Sequence, residues 1–279
     1  MKKLSMPFIS CAVASGLIVA GGLSASAQTL ALQLQAINYN PGTGVWLDSS
    51  GNNNNAQFLN GTTPTFDVGV TPDMLSAVNI VGANASYGVG SHFQLNTAIG
   101  DTGGGYTVFA YVQPTGSSGS RQALTGGSGS GALEYNIYGG NQDFLREYLQ
   151  DVGHGTATVP TSSFSLVDLA VSSTLVGSFN FNGSPDGTTS SGTAFSNPIT
   201  QIGNNEGGGD FFSGDIAEID IYQGVLTSDQ IASVEATLTG EYITGTIPVI
   251  PVPEPTTLAM LAGGFGLLFA ARRFGRKQA

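Results

Sequence analysis

The sequence predicts an all-β domain: a two-sheet antiparallel sandwich or jelly roll, with one short helix packed on it near the C-terminal end. Three observations predict it. Glycine is the commonest residue type, 41 of 279, and it gathers with Ser, Thr, Asn and Asp in short clusters. Such clusters are turn chemistry, and they recur at strand-like intervals. Between them, short segments alternate apolar and polar residues, the period of a strand with one face buried. Finally, no internal repeat of roughly 20–50 residues is present, which argues against a solenoid or propeller.

The alternating segments are residues 31–35, 91–96, 106–112, 133–138, 144–149, 165–171, 174–181 and 216–222. Asn182-Gly183, directly after 177–181, marks a tight hairpin turn. About a dozen short strands in one domain fit two packed sheets. The rhythm changes at Thr227-Ser228-Asp229-Gln230, which has the spacing of a capping box. Ile231, Val234, Leu238 and Tyr242 follow at helical spacing, so this helix lays one apolar stripe on the sandwich, and Gly240 weakens or ends it.

Both ends of the chain read as address labels. Lys2 and Lys3, an uncharged apolar run over 8–23, and the small residues Ala25 and Ala27 form a secretory signal over 1–27, cleaved before Gln28. Cys11, within Phe8-Ile9-Ser10-Cys11, is read as part of the apolar run, since lipoprotein-type cleavage there would leave too short a hydrophobic stretch. At the other end, the Pro-rich linker 247–255 contains Val252-Pro253-Glu254-Pro255. An apolar run over 256–271 and a basic tail over 272–279 follow. At about 1.5 Å per residue the apolar run spans roughly 24 Å as a transmembrane helix. Arg272, Arg273, Arg276 and Lys277 place the tail on the cytoplasmic side by the positive-inside rule.

The domain between these ends, residues 28–246, is strongly acidic. Of the eight basic residues only Arg121 and Arg146 lie in it, whereas of the 19 acids only Glu254 lies outside it. Such a surface repels DNA, RNA and anionic headgroups, so nucleic acid is excluded as a partner. Neutral glycans and divalent cations remain compatible. The mature domain has no cysteine, so no disulfide supports it.

The C-terminal combination of Pro253-Glu254-Pro255, an apolar helix and the arginines resembles the PEP-CTERM sorting signal of Gram-negative bacteria. That resemblance implies export through the Sec translocon and an inner-membrane anchor in the last helix. An exosortase then recognises the Pro-Glu-Pro box and delivers the protein to the cell surface or outside, in a biofilm or exopolysaccharide setting.

The middle of the chain carries a second resemblance. Phe211-Phe212-Ser213-Gly214-Asp215-Ile216-Ala217-Glu218-Ile219-Asp220-Ile221-Tyr222, then Val225-Leu226-Thr227-Ser228, is similar to the closing segment of laminin-G-like domains. Trp46-Leu47-Asp48-Ser49-Ser50-Gly51-Asn52 resembles their opening element, with Trp46 in the core. These domains belong to the concanavalin A-like lectin/glucanase superfamily, which holds both enzymes and binding modules, so the fold alone does not decide function.

Glu218-Ile219-Asp220-Ile221-Tyr222-Gln223 looks like the E-x-D-x-x-E strand of retaining glucanases in that superfamily, but its last position holds a glutamine. A carboxamide has no proton to give at neutral pH and cannot act as the base of the second step. Alternation places Glu218, Asp220 and Tyr222 on a polar face, opposite Ile219 and Ile221. No catalytic residue is assigned: His92 and His154 have no metal-ligand spacing or nucleophile elbow around them, and the glycine runs lack a following Lys or helix. Residues 52–55 read as a solvated turn. Laminin-G-like domains often carry one Ca²⁺, and the loop with Asn205, Glu206 and Asp210 is the local candidate. A sugar platform is not assignable, since Tyr87, Tyr106, Tyr138 and Tyr148 have no defined position.

The expected function is a non-catalytic, exported surface protein whose laminin-G-like module binds exopolysaccharide or a surface protein. The alternatives are a divergent glycoside hydrolase, disfavoured by Gln223, and a passive surface-coat component.

Overall fold

The computed structural model describes residues 28–82, 90–100, 104–115, 121–127, 130–136, 143–144, 157–188, 198–205 and 210–245. The signal, linker, apolar run and basic tail lie outside the described residues. So do Glu206, Tyr87, Tyr138, Tyr148, His154 and most of the strand expected over 144–149. Among the described residues no helix is long and apolar enough to cross a membrane.

In chain order the strands are β1 (Thr29–Gln35), β2 (Tyr39–Asn40), β3 (Val45–Trp46), β4 (Ala56–Asn60), β5 (Thr65–Asp67), β6 (Ala77–Ile80), β7 (His92–Ile99) and β8 (Tyr106–Pro114). Then come β9 (Arg121–Gly127), β10 (Ser130–Asn136), β11 (Asp143–Phe144), β12 (Ser165–Val171), β13 (Gly177–Phe181), β14 (Ser184–Thr188), β15 (Ile199–Ile202) and β16 (Gly214–Gln223). The α-helix α1 (Ser228–Thr239) closes the domain. One sheet has the order β14-β13-β12-β8-β16-β6-β5, with β1 also pairing β16; the other runs β11-β10-β9-β15-β7-β4-β3-β2. All these pairings are antiparallel, and the fold is the expected sandwich.

The inner faces of the two sheets enclose the main core. Leu32 and Leu34 of β1, Val108 and Val112 of β8, and Ile219 and Ile221 of β16 meet Trp46, Phe93 and Leu133 of the other sheet. Trp46 is fully buried, as its position in the opening motif implies, and its indole N–H donates to the Gln35 carbonyl at 2.7 Å. A second apolar layer lies on the outer face of the first sheet. There Phe109, Tyr111, Leu166 and Ala217 pack under Leu238 and Tyr242, with Ile231 and Val234 partly buried beside them. The stripe read from the sequence is therefore the helix's contact face.

The capping box forms as spelled: the Gln230 N–H donates to Thr227 Oγ1 at 3.3 Å, and the Thr227 N–H donates to Gln230 Oε1 at 2.9 Å. Gly240 ends the α-helix but not the winding. The chain continues through a π-helical turn (Gly240–Thr244) and stops at Gly245, whose φ of 62° is open to glycine without a Cβ clash. The turn at Asn182-Gly183 has φ of 48° and 75°, the left-handed pair of a two-residue hairpin.

Two sequence expectations need correction. The strand read over 174–181 begins only at Gly177, because Leu175 sits at φ 62° and Ser172 Oγ accepts from the Val176 N–H, closing a turn first. Residues 52–55 are not simply a solvated turn. Asn54 is buried, donating its amide to the Thr97 carbonyl at 2.9 Å and accepting from the Thr97 N–H at 2.7 Å, so it replaces a strand's backbone pairing.

Asp48 anchors this corner. Its Oδ1 accepts from the backbone N–H of Gln33 (3.0 Å) and Ser50 (2.8 Å), and its Oδ2 from the Ser50 hydroxyl (2.8 Å) and the Asn54 N–H (2.9 Å). Burial raises its carboxyl pKa, but the donors of Gln33, Ser50 and Asn54 together outweigh it and hold the group below the usual carboxylate range. Asp48→Ala leaves these donors without their acceptor and is expected to cost about 2–4 kcal/mol, read by urea unfolding near neutral pH. Because the folded value is depressed, the stabilisation is full above the ordinary value of 3.8 and is lost as pH falls through the lower folded one. A neutral effect of the substitution would mean that Asp48 does not hold the corner.

Candidate functional site

The glucanase-like strand is β16. A bulge at Ala217 sets its phase: Ile216 pairs with Val112, but Glu218 pairs with Tyr111, so one extra residue turns Glu218 away from the core. From Glu218 to Gln223 the register is regular. Glu218 and Asp220 therefore share the outer face, as alternation predicts, and Gln223 lies on the opposite one. Gln223 donates to the carbonyls of Gly100 (2.8 Å) and Gly105 (3.4 Å), tying β16 to the connection between β7 and β8. Any carboxylate at that position would stand across the sheet from Glu218.

The polar face of this strand is not solvated, which corrects the reading of one buried and one polar face. Glu218 is 1 % exposed and Asp220 4 % exposed, because the C-terminal helix and turn roof them. Tyr242 donates its hydroxyl to Glu218 Oε2 at 2.6 Å, while Gln33 and Gln35 donate to Oε1 and Oε2 at 2.9 and 3.4 Å. A sugar could reach these carboxylates only by displacing that roof. Along the same face, Asp168 of β12 and Asp220 of β16 flank Phe109 of β8.

The outer face of the other sheet is different. Gln57 of β4 pairs with Gln94 of β7, and Gln94 with Gln201 of β15, giving a row of three glutamines across three neighbouring strands. Gln201 donates to Gln94 Oε1 at 3.2 Å, Gln94 donates to the Thr200 carbonyl at 3.0 Å, and Asn204 donates to Gln201 Oε1 at 3.0 Å. Gly126 continues the row on β9, and its missing side chain leaves room for the backbone of Asn204 and Asn205 to lie against the strand. Asn96 and Asn60 extend the amide surface and are exposed, as is Gln57. Sequence reasoning missed this face, although Gln94 and Asn96 alternate in the segment it identified as a strand.

Of the candidate calcium ligands, Asn205 and Asp210 come together: the Asn205 amide donates to Asp210 Oδ2 at 3.1 Å. Asn205 Oδ1 is buried without a donor. Glu206 lies outside the described residues, and among them no group of three or more His, Cys, Asp or Glu side chains could hold a metal ion. Tyr106 is buried in the core and offers no sugar platform. His92 is buried too, its Nδ1 3.1 Å from the Gly90 carbonyl.

The roofed acids on the first sheet are held as partners of one another. Asn180 donates one amide to both Asp168 Oδ1 (3.0 Å) and Glu235 Oε1 of α1 (3.2 Å), which brings the two carboxyls side by side. Burial, then the Glu235 carboxyl, pushes Asp168 up to about 9. Burial raises Glu218 against the donors Tyr242, Gln33 and Gln35. Asp220 is raised well above the ordinary value, by burial and then by the Glu218 charge beside it. Burial and Glu218 together bring Glu241 to about 6. A carboxyl with a raised folded value binds more protons folded than unfolded between the two values, so stability falls as pH rises through that window. For Asp168 the window runs from the ordinary 3.8 to about 9. Urea unfolding at about pH 5, 7 and 9 is expected to give decreasing stability, with the slope reduced in Asp168→Asn; stability that rises with pH would contradict the assignment.

Comparison with known proteins agrees with this architecture. Residues 87–232, more than half of the chain, match the concanavalin A-like lectin/glucanases superfamily, and residues 251–277 match the PEP-CTERM protein-sorting motif. No curated protein matches. Among solved structures, domain 4 of AbnA, a GH43 extracellular arabinanase from Geobacillus stearothermophilus in complex with arabinotriose, is similar with a TM-score of 0.53 and 17 % identity. The match covers 75 % of this chain and 98 % of that one. Trypanosoma rangeli sialidase in complex with 2,3-difluorosialic acid gives a TM-score of 0.50 and 18 % identity, over 77 % of this chain and 33 % of the sialidase. At such identities the likeness is one of fold. The chain belongs to the concanavalin A-like lectin/glucanases superfamily and carries a PEP-CTERM protein-sorting motif at its C-terminal end.

Proposed function

We propose that this is a non-catalytic, exported surface protein that binds a neutral polysaccharide of the extracellular matrix through the amide face of Gln57, Asn60, Gln94 and Asn96, with the buried Gln201 holding Gln94 in place. The sorting motif supports export, anchoring in the inner membrane, and processing by an exosortase. The observation that carries the binding role is the glutamine row across β4, β7 and β15. Amide side chains offer donors and acceptors together and no charge, which suits the hydroxyls of a neutral sugar chain. The scarcity of basic residues in the domain works against acidic polymers. A row running across strands gives an extended polymer several successive subsites. Domain 4 of the arabinanase, which shares the fold, is in complex with arabinotriose, so neutral arabinan and β-glucan oligosaccharides belong in the screen. The burial of Glu218 and Asp220, and the position of Gln223 on the other face, favour binding over hydrolysis.

Glycan-array screening of the mature chain, with and without EDTA, is expected to give neutral polysaccharide hits. Gln57→Ala with Gln94→Ala is expected to weaken them at least tenfold, the loss of a few hydrogen bonds. Glu218→Gln is expected to leave binding unchanged. Loss of binding in EDTA alone would move the site to the Asn205–Asp210 loop. Absence of any glycan hit, or release of reducing ends abolished by Glu218→Gln, would overturn the reading.

A further inference from the structure

We propose that the C-terminal helix is a proton-dependent latch: α1 and the turn behind it are held to the outer face of the first sheet by carboxyl pairs that each require a proton, and losing those protons releases the segment leading into the sorting motif.

The chemistry of the pairs requires this. Two carboxyls buried side by side cannot both be ionised without placing uncompensated like charges in an apolar layer, so each pair keeps a proton. One Asn180 amide reaches both Asp168 Oδ1 of β12 and Glu235 Oε1 of α1, which sets those two buried carboxyls side by side, and Asp220 neighbours Glu218 on the buried outer face of β16, where Glu218 Oε2 takes the hydroxyl of Tyr242 from the terminal turn. Asp168 Oδ2 and Asp220 Oδ1 are buried and receive no N–H or O–H among the described residues, so neither charge would be offset there. Both pairs lie at the junction between helix segment and sheet rather than within the sandwich core.

Among the described residues no cation stands against them. Around Glu218 and Asp220 stand Gln33 and Gln35 from β1, Tyr222 from β16, and Glu241 and Tyr242 from the turn, with Tyr111 of β8 stacked on Tyr242. Around Asp168 and Glu235 stand Asn180 from β13 and Phe109 from β8. The ionisable side chains on the helix segment itself, Asp229, Glu235, Glu241 and Tyr242, include no base. Deprotonation therefore places like charges side by side in an apolar layer, and none of the described side chains compensates.

Release is local because the helix has little stability of its own. At 12 residues, with no basic residue in its last turn, it is too short to persist in water once its apolar stripe is uncovered. The matched sorting motif begins at residue 251, a few residues beyond the turn that ends at Thr244. Undocking converts the helix segment into additional tether between sandwich and motif.

The test is hydrogen-exchange mass spectrometry on the full-length chain in neutral detergent micelles with EDTA, normalised at each pH to unstructured-peptide rates. Between about pH 6 and pH 10 the protection of 228–244 is expected to fall at least tenfold more than that of β8. Asp168→Asn with Glu218→Gln is expected to retain protection across the range. Infrared spectroscopy of the wild type supplies a readout independent of any variant: a protonated-carboxyl C=O band persisting at about pH 7.5 and disappearing as the helix loses protection. Equal loss in β8 and helix, no loss in the helix, or absence of the carboxyl band at about pH 7.5 would each overturn the latch.

Discussion

β16 is the strand on which the other parts of the domain depend. It pairs along its whole length with β8 on one side, and on the other it is shared between β6 at its start and β1 at its end. Its inner face supplies Ile216, Ile219 and Ile221 to the main core, and its outer face supplies Ala217 and Tyr222 to the layer under the helix. The bulge at Ala217 makes both roles compatible. Were Ala217 paired in the ladder instead of bulged out of it, Glu218 would fall opposite Ala110, a core residue, and its carboxylate would enter the main core with no polar partner. With the bulge, Glu218 turns to the outer face, where Tyr242, Gln33 and Gln35 can donate to it.

The near-absence of basic residues shapes how the domain handles its buried acids. In most proteins a buried carboxylate is neutralised by a lysine or arginine, and the desolvation of both ions sets the balance. Here amides and hydroxyls take that place: Asn180 for Asp168 and Glu235, Gln33 and Gln35 for Glu218, Asn79 for Asp215. Neutral donors stabilise one carboxylate but cannot cancel a second charge beside it, so the buried acids that stand in pairs have raised pKa values. The same substitution of amide for cation governs the outer face of the second sheet, where Gln94, Gln201 and Asn204 bond to one another rather than to charged neighbours.

Much of the fold was legible because its signals are local. Alternation over β8, β12 and β16, the Asn182-Gly183 turn and the Thr227–Gln230 capping box each depend on a few adjacent residues, and each forms. Strands of two to five residues, such as β2, β3 and β6, carry too few alternations to stand out from loops. The site was less legible because it depends on pairing. Gln57, Gln94 and Gln201 are far apart in sequence, and only the β4-β7-β15 register aligns them. Likewise, the face assigned to Glu218 and Asp220 was right, but its burial was not readable from β16 alone. It follows from where α1 lands, which the helix's own stripe does not specify.

The positions of these features give the molecule a direction. The helix leading to the sorting motif covers the outer face of the first sheet, and the amide row occupies the outer face of the second. Packed sheets are about 10 Å apart, so a full sandwich thickness separates the two. A protein tethered by its C-terminal end thus presents the amide face away from the side on which the chain leaves the domain. The Tyr242 hydroxyl bond to Glu218 ties the last described turn of the chain to the central strand.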